Sequence, residues 1–221
     1  MTKGYNGGKI LRMAQFSILL AIEALFCFTP LGSLPAIGPI VATLAMIPVV
    51  ITALLLGTKA GTMMGAFAGL FSFLVWTFMT PPLSAPIAFV FTPFYSTGEF
   101  QGNFGSILIC FVPRILVGTV AGAVYAAMAK ALPQKDILSM GVASALGSLT
   151  NTVGVMFGIW LFFGRQFSSV VGTAMLAAIG STVLFSGLPE ALLAVILCTA
   201  VCKPLKVFLE KQARKPRNPA E

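Results

Sequence analysis

The sequence predicts an all-α integral membrane bundle of six transmembrane helices with both termini in the cytoplasm, and three observations predict it. Of 221 residues, 57% are hydrophobic and only 9% charged, which is more apolar surface than one soluble core of this size can cover. The apolar residues run in long stretches punctuated by Gly, Pro and charge, and about 20 of them in a helix cross a hydrocarbon core about 30 Å thick. The basic residues stand at the ends of these stretches. Of fourteen Lys and Arg, all but Arg114 and Arg165 lie in the N-terminus, two short connections or the C-terminal tail, as in a chain oriented by positive charge on its cytoplasmic side. The net charge of +8 therefore does not indicate nucleic acid, which needs basic residues gathered on a solvated face.

The first helix is predicted over residues 10–28. Lys3, Lys9 and Arg12 before an apolar run resemble a signal peptide, but Glu23 interrupts the run and no A-x-A-like cleavage site follows, so the helix is expected to stay attached. Further helices are predicted over 40–56, 60–79, 107–131 and 138–163. The apolar stretch 167–201 is too long for one upright span. Gly187 and Pro189 interrupt it and Glu190 follows, so it holds either one helix, over 188–207, after an interfacial or bent segment, or two helices. The basic tail, residues 203–221, decides between these options. Lys203, Lys206, Lys211, Arg214, Lys215 and Arg217 belong on the cytoplasmic side with the basic N-terminus, which requires an even number of crossings. Six crossings also put Lys59, Lys130 and Lys135 inside and leave 29–39, 80–106 and 164–187 as extracellular loops. The chain then forms a single membrane domain over 1–221. Glycines recurring every four residues, at 61, 65 and 69, at 118 and 122, and at 154 and 158, suit close helix contacts and carry no chemistry of their own. Cys27, Cys110, Cys198 and Cys202 lie inside apolar stretches with no C-x-x-C pair and no histidine, so they are expected to pack as small hydrophobes; no metal and no cofactor is implied.

A charged side chain inside the hydrocarbon costs about 2.5–3.5 kcal/mol by insertion scales, so each one needs a partner or a task. At 1.5 Å per residue, Glu23 lies about 20 Å from the inner surface and Arg114, entering from outside, about 10 Å deep, so the two meet near one level. Asn151, in Gly147-Ser148-Leu149-Thr150-Asn151-Thr152, comes out at a similar depth, and Glu190 stands near the outer end of the last helix. Arg114, Asn151, Glu190, Glu23 and Thr150 are therefore the candidate ligand-binding residues of a pocket opening outward, with Trp76, Phe91 and Trp160 as aromatic neighbours. The plain alternative is that Glu23 pairs with Arg114 and that Asn151 and Thr152 satisfy each other. A guanidinium fork suits a carboxylate or phosphate, which points to an anionic ligand. The 29–39 connection, with Pro30, Gly32, Pro35 and Gly38, has the stiffness and pivots of a gate. The 80–106 connection, opening on Pro81-Pro82 and carrying Phe89, Phe91, Phe94 and Tyr95, is apolar enough to fold over the bundle. No G-x-x-x-x-G-K-[ST] loop is present, so energy would come from elsewhere, and no histidine or G-x-S-x-G elbow supports an enzyme. A stand-alone ion-coupled carrier titrating Glu23 and an intramembrane enzyme using Glu23 or Glu190 are the rival functions.

Several segments together carry a family resemblance. Ala21-Ile22-Glu23 through Phe28-Thr29-Pro30-Leu31-Gly32, Ile37-Gly38-Pro39-Ile40, Ile47-Pro48-Val49-Val50, Leu56-Gly57-Thr58-Lys59-Ala60-Gly61, Val112-Pro113-Arg114-Ile115-Leu116-Val117-Gly118, Gly147 through Thr152, and Gly187-Leu188-Pro189-Glu190-Ala191 follow in order along the chain. They resemble the substrate-binding (S) components of energy-coupling factor (ECF) vitamin transporters, the pantothenate-type branch most. The resemblance implies a subunit in a bacterial plasma membrane that captures a vitamin, pantothenate being the best match. It also implies work with a transmembrane coupling subunit and two cytoplasmic ATPases, and reorientation in the lipid to release cargo inside. It further implies that the small residues Ala14, Ser17 and Ala21 stand where the family's A-x-x-x-A motif contacts the coupling subunit.

Overall fold

The structure, a computed structural model, describes residues 7–32 and 44–214. Its helices, in order, are α1 (Gly7–Phe28), α2 (Met46–Leu56), α3 (Thr58–Phe78), α4 (Phe104–Ala131), α5 (Asp136–Val171), α6 (Met175–Thr182) and α7 (Leu188–Arg214). Five segments among the described residues are long and apolar enough to cross a membrane: α1 from Gly8, α3, α4, α5, and the continuous run Met175–Leu209. The sixth apolar helix, α2, is shorter, and residues 40–43 of its expected start lie outside the described residues. It begins at Met46 after a turn at Leu44–Ala45, with Pro48 in its first turn, where a missing N–H leaves no helix bond unmade.

α2 forms the centre of the bundle. Nine of its residues, Met46 to Leu54, are buried, as an all-round apolar helix in a bundle should be. Met64, Val117, Met140, Cys198 and Cys202 pack into the same core from α3, α4, α5 and α7. α2 passes to α3 through Gly57 alone, at φ 95°, a backbone conformation that side-chain-bearing residues rarely take. The four-residue glycine spacing then sets how α3 meets α4. A Cβ at Gly61 would meet Ala53 at 2.5 Å and the Gly118 carbonyl at 3.0 Å, one at Gly65 would collide with the Arg114 carbonyl, and one at Gly69 would come within 3.1 Å of the Cys110 carbonyl. On the other side of α4, Gly154 and Gly158 of α5 receive Pro113 and Ile109. Both contacts are antiparallel, and both fix the height of residues 109–118.

One expectation for the connections needs correction. The segment 164–187, expected as an extracellular loop, is helical except at 172–174. Gly164, Arg165 and Gln166 have loop-like composition, yet Ile159, Phe163 and Phe167 continue one buried stripe through them, and α5 ends only at the left-handed Gly172, φ 71°. After it, α6, a π turn over Val183–Gly187 and α7 form one continuous helix, the bent-segment alternative rather than two helices. The π turn has a local cause. Pro189 has no N–H for the Phe185 carbonyl, and Leu188 N–H reaches back five residues to Val183 instead. A second expectation holds. The 80–106 connection does fold over the bundle, as a 3-10 stretch (Pro82–Val90) and a small antiparallel hairpin, β1 (Ser96–Thr97) and β2 (Phe100–Gln101), with Phe89, Val90 and Phe91 buried. Phe94, however, is 77% exposed.

Candidate ligand site

α4 carries the centre of the site because its face at Ser106, Cys110 and Arg114 repeats every four residues and looks toward the 80–106 connection. Ser106 Oγ donates to the Phe89 carbonyl at 2.8 Å, and Cys110 Sγ donates to the Phe91 carbonyl at 3.0 Å. Thr92 is tied to Thr77 of α3 at 2.8 Å. These bonds clamp the end of the 3-10 stretch onto α4 and α3 and so hold Phe91 in place. The Arg114 guanidinium lies 6.0 Å from the Phe91 ring centroid, and Trp76 of α3 stacks on that ring at 4.4 Å. Arg114 itself is 8% exposed. Its Nη1 donates to the Ile109 carbonyl at 2.8 Å and its Nη2 reaches Ser72 Oγ at 3.5 Å, while its Nε has no partner.

Glu23 comes to the same region from α1. The inner stripe of that helix, Phe16, Leu19, Leu20 and Cys27, packs on the core, and Glu23 shares its face with no exposure at all. Cys27 Sγ donates to Glu23 Oε1 at 3.4 Å, and Oε2 has no partner. Among the described residues no ion pair links Glu23 to Arg114, whose guanidinium bonds Ile109 and Ser72 instead. Asn151 is placed by α5. It lies on the buried stripe between Gly147, which packs on Ala121 and Val50, and Gly154, which packs on Pro113. That height is within about a turn of Arg114 on the facing helix. Its Oδ1 is buried and unpartnered. Glu190 follows one turn after Gly187, which packs against Thr152 beside Asn151; Glu190 is buried and is engaged by a partner in the structure.

The expected residues do not all gather here. Thr150 lies beside the buried stripe of α5, and its hydroxyl donates to the Leu146 carbonyl of its own helix at 2.6 Å. Trp160, expected as a pocket aromatic, is 54% exposed and pairs with Phe157 on the outer face. Nine residues separate it from Asn151, half a turn out of phase at about 100° per residue. Of the expected gate, Pro30 and Gly32 form a 3-10 turn in which Gly32 packs against the Phe26 backbone, and Leu44 N–H donates to the Gly32 carbonyl at 2.8 Å. Pro35 and Gly38 lie outside the described residues. Ala14, Ser17 and Ala21 lie on a different side of α1 from Glu23, and all three are exposed. An open hollow of about 960 Å³ along Trp160–Ser169 and Met175 shares no residue with the Arg114 cluster.

Ser72 and Cys110 were not among the expected site residues. The spacing Ser106, Cys110, Arg114 was the available signal for Cys110, and the continuation of the glycine face of α3 past Gly69 was the signal for Ser72. Three buried polar atoms therefore remain without partners on three different helices: the Glu23 acceptor, the Arg114 Nε donor and the Asn151 acceptor. The hydroxyls of Thr97, Thr182 and Thr199 share that state. Among the described residues no three His, Cys, Asp or Glu side chains come together as metal ligands would.

Comparison with known proteins agrees with this architecture. Residues 11–202 match the family model for the ECF transporter, substrate-specific component. The chain is 34% identical to the pantothenic acid transporter PanT of Lactococcus lactis subsp. cremoris over 194 residues, covering 87% of this chain and 91% of the relative. It is 28% identical to the pantothenate transporter PanT of Leuconostoc mesenteroides subsp. mesenteroides, covering 95% and 98% of the two chains. The crystal structure of the S-component for biotin from an ECF-type ABC transporter has the same fold, with a TM-score of 0.57 at 13% identity, over 92% of this chain and 95% of that one.

Proposed function

The chain belongs to the substrate-specific components of ECF transporters, and from that premise we propose that it is the pantothenate-binding subunit of an ATP-driven importer in a bacterial plasma membrane. One observation carries the choice of site. Glu23 Oε2, Arg114 Nε and Asn151 Oδ1 are buried without partners, and a buried polar atom left unmatched costs about 1–3 kcal/mol unless something fills it. A ligand with one carboxylate, hydroxyls and an amide matches that set of donors and acceptors. The Arg114 guanidinium takes the carboxylate, Glu23 accepts from a hydroxyl, and Asn151 accepts from a hydroxyl or the amide N–H. Trp76 and Phe91 form the apolar wall, and Glu190 borders the site on α7. The family assignment supports a coupling subunit and two cytoplasmic ATPases as the source of energy, with the Ala14, Ser17 and Ala21 face of α1 as the contact for the coupling subunit and reorientation of the bundle as the delivery step.

The test is ligand binding by the purified protein. Pantothenate at a hundredfold excess over Kd should stabilise it by about 2.7 kcal/mol, whereas riboflavin, thiamine, biotin, folate and cobalamin should not. Arg114→Ala should weaken pantothenate binding about tenfold to a hundredfold, the loss of a charge-assisted hydrogen bond. Stabilisation by another vitamin and not by pantothenate sinks the substrate assignment; full affinity in Arg114→Ala removes that residue from the site.

A further inference from the structure

Arg114 follows a proline inside a helix, and the two residues are linked through a third. In an unbroken helix the N–H of residue 113 would bond the carbonyl of Ile109, four residues back. Pro113 has no N–H, and Ile109 is 1% exposed, so neither that backbone bond nor bulk water serves the carbonyl. The group that does serve it is the Arg114 side chain, whose Nη1 donates to the Ile109 carbonyl oxygen at 2.8 Å. The guanidinium is thus folded back along its own helix rather than extended toward Glu23. With one edge tied to Ile109, Nη2 falls against Ser72 Oγ at 3.5 Å, the guanidinium carbon lies 6.0 Å from the Phe91 ring centroid, and Nε stays unpartnered.

We propose that Pro113 is a positioning residue for ligand binding: by leaving the Ile109 carbonyl without a backbone donor, it creates the acceptor that holds the Arg114 guanidinium in the orientation that receives the ligand's carboxylate. The physical gain is pre-organisation. An arginine side chain is rich in rotamers, and fixing it before the ligand arrives removes that ordering from the binding step. A residue with an N–H at 113 would straighten the helix locally and pull the Ile109 carbonyl back into the backbone ladder. The guanidinium would then lose its fixed edge and could swing toward the Glu23 carboxyl, which competes with the ligand for it. This inference rests on Arg114 being the carboxylate anchor.

The experiment compares pantothenate with pantothenol, in which a neutral CH2OH replaces the carboxylate, by calorimetric titration of the purified protein. Pro113→Ala should weaken pantothenate about tenfold while leaving pantothenol unchanged, so that the preference for the anion falls by the same factor. Incorporating the α-hydroxy analogue of alanine at 113, which makes a backbone ester and so again lacks the N–H, should restore the preference although the proline ring is gone. The ring packs on Gly154, with a Cβ there coming 3.1 Å from Pro113 Cβ, so a purely structural role would weaken both ligands equally and the ester would not rescue. Either that result or an unchanged preference in Pro113→Ala overturns the proposal. Arg114→Ala, measured alongside, separates the two levels. Loss of anion preference there with none in Pro113→Ala overturns the positioning role alone; an unchanged preference there overturns the carboxylate anchor and this inference together.

Discussion

Glu23 shows how a single side chain can be both a burden to the fold and an asset to the site. It is fully buried, accepts one weak bond from a thiol, and presents a second oxygen to nothing. Replacing it with Gln keeps the shape and puts an amide where the carboxyl stood. If Oε2 accepts from a ligand hydroxyl, Glu23→Gln should weaken pantothenate by about tenfold, since the amide offers one acceptor oxygen where the carboxyl has two and a lost hydrogen bond costs about 0.5–1.5 kcal/mol. The same change should leave the unliganded protein about as stable as it was, because the shape is kept and the second carboxyl oxygen has no partner to lose. Titration calorimetry and thermal unfolding read the two effects separately; undiminished affinity takes Glu23 out of the ligand shell. Residues of this kind are legible in the sequence because charge is rare and costly in an apolar stretch, so Glu23, Arg114 and Glu190 stand out by residue type and position alone. Ser72 and Cys110 do not. A hydroxyl or thiol in a membrane helix can satisfy itself on its own backbone, as Thr150 does on Leu146, so composition does not separate the ones that reach across to another element.

At the scale of elements, the site depends on how closely α3 approaches α4, because Ser72 and Arg114 face each other only if the glycine seam between them closes. Gly65 is set directly against the Arg114 carbonyl. Gly65→Val should push the helices apart, lowering stability by about 1–3 kcal/mol as overpacking does, and should weaken ligand binding beyond that by displacing Arg114. Gly164 offers the contrast. It sits within α5 with nothing within 4 Å of a built Cβ, so Gly164→Ala should stabilise by about 0.5–1 kcal/mol through helix propensity alone. Thermal unfolding of both variants checks the pair, and a Gly65→Val protein that melts no lower than wild type refutes the seam's importance. Elements bounded by charge or by a proline pair are readable from the sequence: α1, α3 and α4 begin and end within about a helical turn of their expected bounds. The extension of α5 and the Met175–Arg214 helix are not, because Gly164, Arg165, Gly187 and Pro189 look like loop punctuation. Only tertiary packing, the buried stripe through Phe163 and Phe167, and a π turn that absorbs Pro189 keep those segments helical.

Across the whole molecule, positive charge collects at one end. Lys206 Nζ meets Asp136 Oδ1 at 2.8 Å and Lys203 Nζ meets Oδ2 at 3.4 Å, while Tyr125 donates to the same carboxylate at 2.8 Å. This network joins the ends of α4 and α7 to the start of α5. Thr58, beside Lys59, packs on Gly122 of α4, which brings the α2–α3 junction to the same end. Phe16 and Phe28 of α1 pair with Phe67 and Phe71 of α3 in the same order, so α1 runs with α3 and starts, at Lys9 and Arg12, on that end too. Glu99 in the hairpin and Arg165 late in α5 lie at the other. The pairs themselves are partly exposed and contribute little stability; their value here is topological. The positive-inside rule predicts a cytoplasmic basic end, and with it the labelling pattern of single cysteines introduced into a Cys27→Ser background, the remaining native cysteines being buried. In intact cells a membrane-impermeant maleimide should label Glu99→Cys and Arg165→Cys, and should reach Lys59→Cys, Lys130→Cys and Lys211→Cys only after the membrane is opened. Labelling of Lys211→Cys alone from outside would place the tail across the membrane from Lys59 and demand an odd number of crossings, whereas labelling of Lys59→Cys, Lys130→Cys and Lys211→Cys together would invert the bundle and turn the Arg114 cluster away from the external solute it is proposed to capture.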